Sequence, residues 1–291
     1  MSKVYVLGGT GGVGTQVVKV LLSRGVQTTI LARDPTKAAK LFGESEYLTV
    51  VKGDYSDMES FKQSIVGHER LFLMVTDLFN MQAIKLNYAQ IAYAAGVKQI
   101  VDLSSGSVCG PRRHNHIATV HYGSEEAIFS IPNRGSYVTL RPNSFFSNHL
   151  WGADYLSIKN QSALFGSSGP NAKRSWVSPT DIADLAANVL TESIEKHADT
   201  VYHMTTELLS GPERAQIFSK VLGKEIKYVQ ISVEEHYKEF TEKSHMPHSM
   251  VYGFLDADHS DHTINTALSI VLHRPPQSLE AWLELNKDKF L

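Results

Sequence analysis

Apolar residues in the first half of the chain fall into short unbroken runs, each followed by a stretch with helical spacing. The runs predict strands at Lys3 to Leu7, Gln27 to Ala32, Leu48 to Lys52, Leu71 to Val75, Gln99 to Leu103 and Tyr137 to Leu140. Between them, Gly14 to Arg24 carries Val17, Val18, Val20, Leu21 and Leu22 at helical intervals, and Met81 to Ala95 reads the same way. Such alternation predicts right-handed βαβ units, hence an α/β fold with a doubly wound parallel sheet and helices on both faces. The strands are apolar throughout rather than alternating, as expected where both faces are covered.

After Arg141-Pro142 the texture changes. Gly152, Gly166, Gly169 and Pro170 punctuate a loop-rich section. Helices are predicted at Thr180 to Thr191, capped by Thr180 or Asp181, and at Gly211 to Leu222, with a strand at Thr200 to Met204. The stretch from His245 to His262 reads as an aromatic loop, and Ser278 to Phe290 as an amphipathic helix after Pro275-Pro276. This later part reads as too fragmented for an independent domain, which places it over the C-terminal edge of the sheet.

Composition narrows the function classes. The 291 residues include 28 basic and 30 acidic side chains, a formal net charge of −2, which argues against general nucleic-acid binding. One cysteine, Cys109, excludes an internal disulfide and thiolate metal clusters. No run approaches the ~20 apolar residues of a membrane span. Met1-Ser2-Lys3 leads straight into an apolar run without a signal-like segment, so a cytoplasmic protein is expected.

The most informative segment is Gly8-Gly9-Thr10-Gly11-Gly12-Val13-Gly14, between a predicted strand and a predicted helix. Glycines there permit a tight turn and close approach of a pyrophosphate, and the helix start offers unpaired N–H groups. About 20 residues on, a carboxylate would select NAD through the ribose 2′-hydroxyl. Here Arg33 takes that position, with Lys37 four residues later, and a guanidinium grips a 2′-phosphate. NADP(H) is therefore expected. Asp34 competes, but Pro35 should turn it to cap the next helix. Asp54, after the third strand, either accepts the adenine amino group or merely forms a turn.

Further residues carry a resemblance. Ser104-Ser105 follows the fifth strand, and His121-x-x-x-Glu125-Glu126-Ala127-Ile128 precedes Tyr137-Val138-Thr139-Leu140-Arg141-Pro142-Asn143-Ser144-Phe145-Phe146-Ser147-Asn148. With Leu222-Gly223-Lys224 and Arg274-Pro275-Pro276-Gln277-Ser278-Leu279-Glu280-Ala281-Trp282, this resembles the NmrA-like group of atypical short-chain dehydrogenases/reductases over nearly the whole chain. The resemblance implies a Rossmann NADP(H)-binding domain from residues 1–142 plus about 178–205, and a smaller C-terminal α/β substrate-binding subdomain from about 143–177 and 206–291. By position, Gly8, Thr10, Gly11, Gly12 and Val13 would line the phosphates. Arg33 and Lys37 would take the 2′-phosphate, and Asp54 with Tyr55 the adenine. Val75 and Thr76 would border the ribose, with Ser104, Pro142, Asn143 and Phe145 near the nicotinamide.

The superfamily's usual pair is Tyr-x-x-x-Lys, in which the lysine lowers the pKa of the protonating tyrosine. The matching positions here read His121-x-x-x-Glu125. Tyr122 is one residue late and is followed by Glu126, and Tyr155-x-x-x-Lys159 lies in the wrong structural context. Hydride transfer to a quinone, an activated alkene or an imine needs no strong acid. His121 either donates a proton or orders the loop or the cofactor ribose, and Ser104 and Ser105 either bind the acceptor oxygen or hold the nicotinamide. Phe79, Met250, Tyr252 and Phe254 either line a flat acceptor site or simply pack the subdomain. His245-x-x-His248 and His259-x-x-His262, with Asp256, Asp258 and Asp261, read as a polar loop rather than a metal site. The expected partner is a small-molecule acceptor, with neither nucleic acid nor membrane involved. The competing expectation is an NADP(H)-sensing regulator with a protein partner.

Overall fold

A computed structural model of the chain describes residues 3–256 and 263–291. The strands, in chain order, are β1 (Val4–Val6), β2 (Thr28–Ala32), β3 (Leu48–Lys52), β4 (Arg70–Leu73), β5 (Gln99–Leu103), β6 (Ser136–Pro142), β7 (Ser144–Phe145), β8 (Ala163–Gly166), β9 (Lys173–Val177), β10 (Val201–Met204), β11 (Glu207–Ser210) and β12 (Lys227–Gln230). The chain divides into two compact units. The first comprises Met1–Ser105, Val120–Arg141 and Pro179–His203, and the second Gly106–Thr119, Pro142–Ser178 and Met204–Leu291.

The first unit is built on a seven-stranded sheet of order β10-β6-β5-β4-β1-β2-β3. Its registers run parallel, as in Val4 against Thr28 and Val4 against Arg70. The chain winds outward from β1 to β3, then crosses back to β4 on the other side of β1. That reversal opens a crevice at the C-terminal end of β1, where open α/β sheets bind ligands. Strands β1, β2, β4 and β5 are buried along their whole length, as their unbroken apolar runs predict. β3 is an edge strand and largely exposed.

Helices α1 (Gly12–Ser23), α2 (Pro35–Phe42), α3 (Met58–Ser64), α4 (Met81–Ala94), α5 (His116–Phe129), α6 (Gly152–Gln161) and α7 (Pro179–Thr191) follow in sequence. α1 buries Val13, Val17, Val18 and Leu21 at helical spacing. On the other face, Tyr5, Phe61 and Tyr88 pack edge to face, with ring centroids 5.1 and 4.5 Å apart. One buried polar group sits inside this unit. Lys85 Nζ lies 2.6 Å from Asp102 Oδ1 and donates to the Leu103 carbonyl at 2.9 Å. The Tyr137 hydroxyl donates to Asp102 Oδ2 at 2.9 Å. Because every charge there has a close partner, the cost of burying the pair is offset, whereas removing one member would strand the other.

The second unit, fragmented along the sequence, closes on a core of its own around Phe146, Leu164, Trp176, Phe218, Trp282 and Phe290. A three-stranded sheet, β11-β9-β7, carries Trp176, and β8 pairs with β12. Helices α8 (Ile194–His197), α9 (Gly211–Leu222), α10 (Val233–Lys238), α11 (His248–Asp256), α12 (Leu268–Leu272) and α13 (Leu279–Glu284) complete the set, α8 belonging to the first unit. α9 starts on a reciprocal box in which Ser210 and Glu213 cap each other's backbone, and stops at Gly223 with φ 66°.

Two expectations are corrected. The stretch read as a loop from residue 245 contains α11, because Pro247 precedes the first turn and offers its carbonyl to Met250 and Val251. The terminal helix is shorter than read. Asn286 Nδ2 donates to the Trp282 carbonyl at 2.8 Å, where a continuing helix would place a backbone N–H. His259, His262, Asp258 and Asp261 lie outside the described residues.

Candidate functional site

The glycine loop leaves β1 at the crevice. Gly8 has φ +76°, and a Cβ there would meet Met74 Cε at 2.7 Å and the Met74 carbonyl oxygen at 2.9 Å. A Cβ on Gly14 would lie 2.1 Å from the Gly8 carbonyl oxygen, so only glycine lets α1 approach the strand this closely. Gly12, by contrast, faces open space. α1 begins with no acidic residue in its first turn and no capping side chain, so its leading N–H groups are available to an anion. The Val13 side chain is buried in the core, which leaves its N–H as the group it can offer.

A cavity of about 350 Å³ opens beside the loop. Gly8, Thr10, Gly11, Arg33, Lys37, Asp54, Tyr55 and Thr76 all line it. Residues as far apart in sequence as Gly8 and Thr76 converge because β1, β2, β3 and β4 end at one edge. Asp34 does cap α2, accepting from the Thr36 and Lys37 amides at 2.9 and 3.2 Å, and Arg33 and Lys37 share the wall. Asp54 forms the expected turn. Its Oδ1 accepts from the Ser56 amide at 2.8 Å in a turn, while the residue still lines the cavity. The Ser56 hydroxyl and amide bonds hold its carboxyl below the usual range. Tyr55 is fixed by a 3.0 Å bond from its hydroxyl to the Met74 carbonyl. Val75 is buried in the core rather than in the wall.

Asp77 also lines this cavity and escaped the sequence reading. It caps the turn before α4, accepting from Phe79 and Asn80 N–H at 3.1 and 3.0 Å. An aspartate two residues past an apolar strand was the available signal.

At the ends of β5 and β6 the polar groups are already committed to one another. The Ser104 hydroxyl donates to Glu125 Oε1, and Arg141 grips the same carboxylate through Nε at 3.1 Å and through Nη2. Glu125 is thus a buried carboxylate paired with Arg141. His121 is buried, and its Nδ1 has no hydrogen-bond partner among the described residues. Burial, and then the Lys85 charge, push its pKa well below the ordinary 6.5. The ring is therefore neutral near pH 7 and offers an N–H hydrogen bond rather than a ready proton. In the second unit, Asn143 Nδ2 donates to Thr205 at 2.7 Å, and its side chain packs where a Cβ on Gly106 would lie.

The second unit has its own cavity, of about 150 Å³, walled by Trp151, Phe165, Trp176, Tyr228, Phe240 and Phe254, with Arg174 and Arg214 among them. Of the four aromatic and sulfur side chains expected at the acceptor, only Phe254 reaches this wall. Tyr252 lines a separate hollow with Val233 and Tyr237, because two residues along α11 turn a side chain to the far face. Phe79 belongs to the first unit and is 67% exposed. Among the described residues no group of three or more His, Cys, Asp or Glu side chains is placed to hold a metal.

The NmrA-like family profile matches residues 1–283. An NAD(P)H azoreductase of Xenophilus azovorans is 27% identical over 236 residues, covering 80% of this chain and 78% of that protein. The crystal structure of an NADPH-dependent quinone oxidoreductase of Escherichia coli complexed with NADPH superposes with a TM-score of 0.81 at 22% identity, over 98% of this chain and 99% of that one. A triphenylmethane reductase of Citrobacter sp. complexed with NADP(H) gives 0.77 at 21% identity, over 97% and 99%. At these identities the two structural likenesses speak for the fold.

Proposed function

This chain belongs to the NmrA-like family, and from that premise we propose that it is an NADP(H)-dependent reductase delivering hydride to a small aromatic or conjugated acceptor such as a quinone, an activated alkene or an imine. The observation that carries the reading is the crevice cavity, where the glycine loop, Arg33 and Lys37 line one space. The cradle fits the cofactor: Gly12 faces open space, and the Gly14 contact leaves no room for a side chain. Gly8, Thr10, Gly11 and the N–H groups of Gly12 and Val13 hold the pyrophosphate. Arg33 and Lys37 take the 2′-phosphate, Asp54 and Tyr55 border the adenine, and Thr76, following Val75, borders the ribose. Ser104, Pro142, Asn143 and Phe145 are assigned to the nicotinamide end. When bound, NADPH supplies a hydride, and the reduced acceptor takes its balancing proton from solvent.

The chain's own residues position and shield. Ser104 holds its hydroxyl on Glu125 and so shapes the wall rather than donating to the acceptor. His121 orients the acceptor oxygen or the cofactor ribose through a neutral ring, and Ser105 is assigned beside it. This arrangement suits acceptors that need no strong acid. The relatives' printed activities, toward azo compounds and quinones, support the same class. The test is loss of nicotinamide absorbance with a panel of quinones, azo compounds and imines, NADPH against NADH. Turnover with NADPH preferred is expected. Tight NADPH binding with no turnover of any acceptor would refute the reductase and favour a cofactor-responsive regulator.

A further inference from the structure

The aromatic cavity of the second unit holds a charge imbalance. Arg214 projects from the first turn of α9 with a side chain only 11% exposed. Its guanidinium lies 4.8 Å over the Trp176 ring, and Nη1 donates to His149 Nε2 at 2.9 Å. The nearest carboxylate, Asp154, stands 3.9 Å from Nη1, too far for a hydrogen bond. Nε of Arg214 is buried with no hydrogen-bond partner among the described residues. Arg174 lines the same cavity from β9 and makes no ion pair among the described residues. Two guanidinium groups thus face one carboxylate.

The location sharpens the imbalance. A cation in the first turn of a helix opposes the helix dipole, whose positive end already favours anions. Gly211, the first residue of α9, lines the cavity too, and a Cβ there would fall 2.2 Å from the Tyr228 ring. Burying an arginine without a hydrogen-bonded anion is costly. That cost is offset when an anion arrives, and guanidinium–carboxylate pairs are among the strong hydrogen bonds of proteins. Around the charges stand Phe165, Trp176, Tyr228, Phe240 and Phe254, flat surfaces for a planar ring.

We propose, resting on the reductase reading above, that this cavity selects aromatic acceptors bearing an acidic substituent, a carboxylate or a sulfonate, with Arg214 and Arg174 gripping the anion and the aromatic wall holding the ring. Arg214 is pre-set by His149 and Trp176, so little freedom is lost on binding. Arg174 supplies the second charge from the more open side. Asp154 sets the balance against a second anion and against unspecific polyanions.

The test is calorimetric titration of the full chain with 2-naphthoate and its neutral near-isostere 2-naphthamide, with NADPH titrated separately. Naphthoate binding at least about tenfold tighter than naphthamide is expected, since hydrogen bonds to charged groups contribute enough for factors of about 10 to 100. Arg174→Met should remove most of that preference and leave naphthamide and NADPH binding unchanged. Arg214→Gln should do the same, and Arg174→Met decides alone where Arg214→Gln does not fold. Equal binding of acid and amide, or equal loss of both in Arg174→Met, overturns the proposal. Acid preference without NADPH binding sustains the arginine grip on an aromatic acid while sinking the reductase reading on which its acceptor role rests. NADPH binding without acid preference overturns the proposal and leaves the reductase reading to its turnover test.

Discussion

Acidification from pH 7 to pH 4 probes the packing of His149. The ring is fully buried and stacks on Trp176 at 4.8 Å. Its Nδ1 is 2.9 Å from the Phe146 carbonyl and its Nε2 is 2.9 Å from Arg214 Nη1. The carbonyl can only accept and the guanidinium can only donate, so the ring is neutral and protonated on Nδ1. Burial first, then the Arg214 charge, lower its pKa from 6.5 to about 4, with Asp154 opposing. In the unfolded chain the same ring titrates near 6.5. Between those values the unfolded state binds a proton that the folded state refuses. Stability from the neutral ring is complete above about pH 6.5 and is lost as the pH falls toward 4. At 1.36 kcal/mol per pH unit the full loss is roughly 3 kcal/mol. The assay is urea unfolding followed by tryptophan fluorescence, for the wild type and His149→Phe. All three tryptophans, Trp151, Trp176 and Trp282, lie in the second unit, so the signal reports on the unit in question. Carboxylates and the other buried histidines titrate in both proteins and cancel. Wild type should lose roughly 3 kcal/mol more than His149→Phe between pH 7 and pH 4. Parallel loss in the two proteins would show that the ring is not held neutral by this packing.

Other consequences follow from the crevice. Gly14→Ala forces a Cβ to within 2.1 Å of the Gly8 carbonyl oxygen. It should cost at least ~1–3 kcal/mol of stability and weaken NADPH binding, checked by thermal melts with and without NADPH. Arg33→Ala should weaken NADPH binding by ~1.5–3 kcal/mol and leave NADH unaffected, so unchanged NADPH affinity would remove Arg33 from the 2′-phosphate site. His121→Ala should change the turnover rate with a quinone by less than about tenfold, because a neutral ring is a weak acid. A larger drop, accompanied by loss of a pH-dependent limb in the rate profile, would restore the histidine as a proton donor.

Much of the cofactor site was legible because its signals are local. Glycine spacing, the residue at the end of β2 and the Asp34-Pro35 cap each act through backbone geometry over a few residues. Asp54 is ambiguous in sequence for a physical reason: a turn aspartate and a ligand aspartate are the same residue in the same place, and here the turn bond leaves the residue lining the cavity. The aromatic cavity of the second unit is less legible in the sequence. Phe254 lines it, but Tyr252 faces elsewhere on α11, and a loop reading of that stretch hides the helical period that separates them. Trp176, Arg174 and Arg214 reach the same cavity from β9 and α9, far apart in sequence from residue 254, so no local pattern joins them.

What the chain's order of residues determined by itself was the alternation of strands and helices, hence a parallel sheet with a crevice where the winding reverses. It also determined the glycine loop and the basic pair at that crevice, and the presence of His121 and Glu125 in the segment after the fifth strand. Only the tertiary structure decided the surroundings of those last residues. Protonation and charge depend on burial and on partners brought from elsewhere: Lys85 beside His121, Arg141 on Glu125, His149 on Arg214. Sequence spacing carries hydrophobic period and backbone freedom, whereas electrostatic environment arises only once distant segments have packed.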